Sequence, residues 1–332
     1  MMKIDVFPHI MPEKYKEALF QKATAGFYAS QYVDVVPTLF DLDLRFRIMD
    51  YFEDYVQILT IASPPIEVAV GPKDAVDLAK IANDELAELV RKNPYRFPAA
   101  VACLPMSDLD AALKEVDRAI GELNFRGVQV YTDVNGKPLD LPEFDALYAK
   151  MVEYNLPIWL HPVRPITVPD YSTEDTSKYS IWDMLGWPYD TSVAMTRLVI
   201  SGILERFPEL KIITHHAGGM IPFFADRIGE GYDFNEREGF NYKKHLRKPV
   251  LDYYRMFYND TAIYGNTAGL MCAHAFFGAE QLLFGTDMPY DNQIGHRFIR
   301  ETIRSVEEMS ITDAEKKLIF EDNAKKIMRL PL

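Results

Sequence analysis

A chain of 332 residues with 48% hydrophobic and 26% charged residues has the composition of an ordinary folded protein, which excludes a disordered or fibrous one. Its 36 basic residues against 49 acidic ones give a formal net charge of −13, which argues against nucleic acid or an anionic membrane surface as a partner and leaves a small-molecule substrate. Cys103 and Cys272 stand apart in apolar stretches without a CxxC pattern, so no disulfide framework is expected and a reducing, cytoplasmic setting fits. The first residues enter a strand-like run with no charged leader, and nothing later approaches a membrane-spanning stretch, so a soluble, untargeted chain is expected.

Eight apolar, β-rich runs are predicted in chain order, at 4–7, 56–62, 99–104, 128–132, 158–161, 212–215, 256–259 and 282–286. Most are nearly continuous in Val, Ile, Leu and aromatics, as parallel strands covered on both faces require. Helical periods fall between them, at 74–92, 108–122, 141–154, 191–206 and 297–308, with a last one at 313–328. In the first of these, Ala75, Ala79, Ala82, Leu86, Leu89 and Val90 share one face, and Asn93-Pro94 ends it. Alternation of this kind implies an α/β protein with a parallel sheet, either closed as a (β/α)₈ barrel or open and doubly wound. No Gly-x-Gly-x-x-Gly turn follows a strand, which weighs against a dinucleotide-binding version. The connections 10–55 and 162–190 are too long for simple loops and read as elaborations over a site; no linker divides residues 1–332, so a single domain is expected.

Polar residues of one chemical kind end several of these apolar strands. His9 follows the first, His161 ends the fifth, His215 and His216 end the sixth, and Asp287 follows the eighth. In a barrel those ends meet at one mouth, where they would serve as metal ligands or acid–base groups. Any one of these histidines is more simply a hydrogen-bonded structural residue; the joint placement is what points to chemistry.

The surrounding motifs are Ile-Asp-Val-Phe-Pro-His9-Ile-Met-Pro, Pro-Ile-Trp-Leu-His161-Pro, Ile-Ile-Thr-His-His216-Ala-Gly-Gly and Leu-Leu-Phe-Gly-Thr-Asp287-Met-Pro. In this order they resemble the amidohydrolase-2 branch of the amidohydrolase superfamily, which includes aminocarboxymuconate semialdehyde and γ-resorcylate-type decarboxylases. The resemblance implies a (β/α)₈ barrel holding one divalent metal, zinc or manganese, and a dimer or tetramer. It assigns His9, His161 and Asp287 as metal ligands, and His216 with Asp287 as the catalytic pair. Because adjacent residues on a strand face opposite ways, only one of His215 and His216 is expected to point inward; the Gly-Gly that follows selects His216 and leaves His215 structural. One departure stands out: the branch has His-x-His or Glu-x-His on the first strand, and here Phe7 fills the first position, where it cannot bind a cation.

The resemblance favours a metal-dependent carboxy-lyase acting on a small aromatic or unsaturated carboxylic acid. The alternatives are hydrolysis of an amide or lactone on the same barrel, with or without metal, and a catalytically dead scaffold, which the loss at Phe7 motivates. Arg164 is a candidate clamp for a substrate carboxylate or else a loop anchor. Trp182 and Trp187, with Tyr189, are candidates for an aromatic pocket or a subunit contact. Arg45 and Arg47 are expected to serve helix packing, since no counterpart of the relatives' substrate arginine precedes them. Asn259 and Asp260 read as support or a helix cap; Asp291, Asn292 and His296 are weaker candidates, and His245 and His274 read as structural.

Overall fold

The computed structural model describes residues 1–23 and 35–332. Among these residues eleven short strands are present. The first predicted run divides into β1 (Lys3–Asp5) and β2 (His9–Ile10), both parallel to β3 (Tyr55–Ile61). The next, at β4 (Ala99–Ala100) and β5 (Ala102–Cys103), is interrupted at Val101; β4 pairs with β3 and β5 with β6 (Val128–Tyr131). A small antiparallel pair, β7 (Asp133–Val134) and β8 (Lys137–Pro138), stands aside. The parallel order then runs from β6 to β9 (Ile158–His161), β10 (Ile212–Thr214) and β11 (Tyr258–Asn259).

The eighth predicted strand forms no regular ladder, yet its backbone joins the two ends of the sheet. Leu283 N donates to Asn259 O at 2.8 Å on one side; on the other, Val6 N donates to Phe284 O at 2.9 Å, Asp287 N to Phe7 O at 3.1 Å and His9 N to Met288 O at 2.8 Å. The ring of eight segments therefore closes. Phe7 is diverted from the ladder because its amide donates to Asp5 Oδ1 within the same turn, which separates β1 from β2.

Alternation along the strands sorts the buried side chains into two cores. Ile4, Val6, Val56, Ile58, Ala99, Val101, Trp159, Ile213 and Leu283 pack together inside the ring, closed at its far end by Ala324, Ile327 and Met328 of the last helix. Their neighbours Leu59, Ala100, Ala102, Ile158, Leu160 and Ile212 face outward to the helices. Trp159 Nε1 crosses the ring to donate to Val6 O at 2.8 Å, so the interior is packed and is not a channel.

The helices follow the predicted periods with local changes. Pro72–Lys92 buries Ala75, Leu78, Ala79, Ala82 and Leu86 on one face. The helix predicted at 191–206 starts earlier, at Gly186, and breaks at Gly202 before Ile203–Arg206. Ile221–Arg237, Val250–Tyr254 and Thr267–Phe277 are helices for which no period was assigned. Among the described residues no helix is long and apolar enough to cross a membrane.

The short helix Ile66–Ala69 places Glu67 in the interior, where burial, with Asp133 as a like-charged neighbour, pushes its carboxyl up to about 7. Between its ordinary value of 4.5 and about 7 the group is protonated when folded and ionised when unfolded. Stability is therefore full below that window and falls as pH rises through it, by about 3 kcal/mol at most. The midpoint of thermal unfolding should drop between pH 5 and pH 8, and Glu67→Gln should flatten that slope; equal slopes in both proteins would refute the assignment.

Candidate active site

The C-terminal ends of β9 and β10, the segment after β1 and the turn after residue 286 converge on one point. His9, His161, His215 and Asp287 meet there, all at or below 3% exposure. His9 Nε2 lies 3.0 Å and His215 Nε2 3.3 Å from Asp287 Oδ1, but neither nitrogen has hydrogen-bond geometry to it. Each ring is held from its other nitrogen. His161 Nδ1 donates to Pro162 O at 2.6 Å, His215 Nδ1 pairs with Asp260 Oδ2, and His9 Nδ1 lies 3.4 Å from Ile61 O. Asp260 is itself fixed by the amides of Ala217 and Ala262 on its other oxygen. Ligand-type atoms of these residues gather in two overlapping groups, each within 4.8 Å: His9, His161 and His215, and His215, His216 and Asp287, so that the predicted set His9, His161 and Asp287 is divided between them with His215 common to both.

The second oxygen of Asp287 looks outward. It accepts from Tyr264 Oη at 2.8 Å and stands 3.6 Å from His216 Nε2. Asp287 has φ of +62° and His216 +57°, a left-handed conformation rare in residues with a Cβ and held here by the surrounding bonds. This turn overturns the expectation that only one of the adjacent histidines faces the site. Strand β10 ends at Thr214, so strict alternation stops before His215, and the left-handed step at His216 brings both imidazoles to the same side with centroids 3.9 Å apart. The Gly-Gly of the motif serves this turn: a Cβ on Gly219 would stand 2.4 Å from Pro188 O, and one on Gly218 2.8 Å from the Phe277 ring.

Electrostatics separate the groups. Burial, reinforced by His215, lowers the imidazoliums of His161 and His216 below the ordinary histidine range. Burial opposes charge on His215 as well, but the Asp260 and Asp287 carboxylates outweigh it and raise that ring to about 10. For Asp287, burial is likewise outweighed by the histidines, which hold its carboxyl well below the usual carboxylate range. Tyr264 is pushed up by burial and by Asp287, and stays a neutral donor.

A cavity of about 490 Å³ opens over this cluster, with His161, His216 and Asp287 in its floor. Its walls are aromatic: Trp182, Trp187, Tyr264, Tyr290 and Phe298. Trp182 meets Trp187 edge-on at 5.4 Å, and Trp187 lies over His161 at 5.5 Å. Arg164 is not brought to this cavity. Its carbonyl accepts from Trp187 Nε1 at 3.2 Å and its side chain packs against the backbone of Gly186, contacts that fit the loop anchor of the two expectations for it. Tyr189 lies away from it, along an outer groove. Arg45 is fully buried beneath the site, donating to Gln57 Oε1 and to the carbonyls of His9 and Thr38. Asp291 caps the turn before the last barrel helix, and His296 packs on Phe52. His274 pairs with Glu315 and His245 neighbours Gly202, both far from the cluster. Sequence reasoning named His215 but left it structural, and it passed over Tyr264 and Tyr290; the position of Tyr264 five residues past β11 is a signal that could have drawn attention to it.

A sequence profile of a family described as amidohydrolase matches residues 4–330. This chain belongs to that family. Among relatives of this amidohydrolase, a γ-resorcylate decarboxylase from Polaromonas sp. is 30% identical over 92% of this chain and 94% of its own length. A 2-amino-3-carboxymuconate-6-semialdehyde decarboxylase from Dictyostelium discoideum is 26% identical over 96% of this chain and 89% of its own. Among solved structures, a dihydroxybenzoic acid decarboxylase from Polaromonas sp., with bound manganese and the inhibitor 2-nitroresorcinol, superimposes with a TM-score of 0.83 at 28% identity, covering 99% of this chain and 97% of that one. The fold is thus the (β/α)₈ barrel of the amidohydrolase-2 decarboxylases.

Proposed function

We propose that this amidohydrolase is a metal-dependent carboxy-lyase that removes carbon dioxide from a small aromatic or unsaturated acid, a 2-hydroxybenzoate being the type that suits it best. One observation carries the reading: the aromatic cavity ends on clustered imidazoles and a carboxylate, and no lysine or arginine is among the described residues lining it. An acidic substrate in such a cavity needs a cation from elsewhere.

The residues fit a divalent metal. Among the described residues, Asp260 and Asp287 are buried carboxylates that form ion pairs with histidines alone, and the inward Nε2 atoms of His9 and His215 make no bond of hydrogen-bond geometry. A buried, under-compensated negative cluster of this composition is what a cation stabilises. His9, His161 and Asp287 are proposed to hold manganese or zinc. When bound, the metal supplies positive charge toward the substrate's phenolate and carboxylate oxygens.

The protein's own groups then handle the proton. Asp287, kept ionised, takes the proton of the phenol with Tyr264 and His216 orienting its outer oxygen. It returns that proton to the ring carbon bearing the carboxylate; the carbon–carbon bond pair then restores the aromatic ring and carbon dioxide leaves. Trp182 and Trp187 hold the flat ring. The relatives that bear names are decarboxylases, which supports this over amide or lactone hydrolysis. The whole chain is read as one cytoplasmic domain, and the exposed Phe223 and Phe240 support a homo-oligomer.

The test is carbon dioxide release by manganese-loaded protein across mono- and dihydroxybenzoates, run beside a panel of amides and lactones. Release from at least one acid is expected. Hydrolysis without any decarboxylation would overturn the proposal.

A further inference from the structure

Phe7 removes from the first strand a side chain that its position, beside His9 and facing the cluster, would let bind a cation. Its ring lies 5.7 Å from His9 and 6.0 Å from His161, so the cluster is intact around an apolar member. The ring also stacks on His215, with centroids 4.0 Å apart and planes 21° apart. The lost ligand position and the extra histidine are therefore in face-to-face contact.

We infer that His215 is a metal ligand that takes over the coordination Phe7 cannot provide. The inference rests on the metal-dependent reading above and adds to the set His9, His161 and Asp287. Three observations carry it. First, His215 offers a ring nitrogen to one cluster with His9 and His161, all within 4.8 Å of one another, and its Nε2 lies 3.3 Å from Asp287 Oδ1. Second, its other nitrogen is occupied by Asp260, whose second oxygen is bound by two backbone amides. A histidine that gives Nδ1–H to a fixed carboxylate aims its Nε2 in one direction, as metal-bound histidines do, and a cation there takes the place of the Nε2 proton that the two carboxylates otherwise hold on this ring. Third, that Nε2 is fully buried and makes no bond of hydrogen-bond geometry, although the Asp287 oxygen stands 3.3 Å away. A histidine serving only to tie β10 to Asp260 would not need to aim its second nitrogen at a carboxylate and two other imidazoles without making a hydrogen bond.

Phe7 then has a positive task. Flat against the imidazole, it fixes the plane of the His215 ring and excludes water from that side of the cluster. His216, by contrast, sits at the cavity with its Nε2 nearest the outer oxygen of Asp287, and stays available to substrate.

The test counts imidazoles. Electron spin-echo envelope modulation of the manganese-loaded wild type should show nitrogens from three histidines, and from two in His215→Ala. Manganese affinity, measured by calorimetry on chelator-treated protein, should fall about 100-fold or more in His215→Ala, at least the loss expected when the partner of a ligand is removed. In the double variant Phe7→His/His215→Ala, a new imidazole can enter the space opened beside residue 7, and affinity should recover. Unchanged affinity in His215→Ala overturns the inference. So does a two-histidine count in the wild type, which remains readable even if His215→Ala fails to fold or loses metal only through structural damage. Failure of the wild type to bind either manganese or zinc would instead remove the metal-dependent reading itself, a result separable from both.

Discussion

Asp287→Asn should lower kcat for carbon dioxide release by about 10³-fold, within the range that positioned acid–base groups contribute. The amide matches the carboxylate in shape, so the bond from Tyr264 can be kept and the buried turn at φ +62° is not reshaped. What is lost is the ability to take a proton and return it, and one of the negative charges that faces His9 and His215. Because both oxygens are engaged, one toward the imidazole cluster and one toward the cavity, two effects are expected together: weaker metal retention and a slower chemical step. They separate on measurement, since saturating manganese should restore occupancy without restoring kcat. A variant that stays within tenfold of the wild type when fully loaded would show that Asp287 does not carry the proton.

Stripping the protein with a chelator should reduce carbon dioxide release to the background, and manganese or zinc should bring it back. The same titration has a readout independent of turnover. A cation that binds only the folded chain at about 100 times its dissociation constant adds roughly 2.7 kcal/mol of stability, so the thermal midpoint should climb with added metal. The physical basis is the pair of buried carboxylates, Asp260 and Asp287, compensated among the described residues by imidazoles alone. If the chelated protein keeps full activity and its melting does not respond to metal, the charge of this cluster is balanced from within, and the metal-dependent reading fails.

Much of the barrel was legible because its strands are doubly buried and therefore write continuous apolar runs, with His161 placed at the end of one of them. The eighth run was found although it forms no regular strand, since its residues must be apolar to fill the ring whether or not the ladder is regular. His9, His161, His216 and Asp287 were likewise visible as polar interruptions at strand ends. Residues 24–34 lie outside the described residues; in the rest of the connection 10–55, the expected elaboration is present as the helices Glu13–Lys22 and Leu42–Met49.

What the sequence determined by itself is the eight apolar runs, six of the helices, the order of the motifs and the loss at Phe7, all of which depend on local residue type and period. Only the tertiary structure decided that His215 faces inward, that Tyr264 bonds to Asp287, and that Arg164 is turned to the loop backbone. Each of these depends on a backbone direction past the end of a strand, where the two-residue period no longer applies. There, the left-handed turn at His216 and the closure of the ring set the side chains' aim through contacts between residues far apart in the chain.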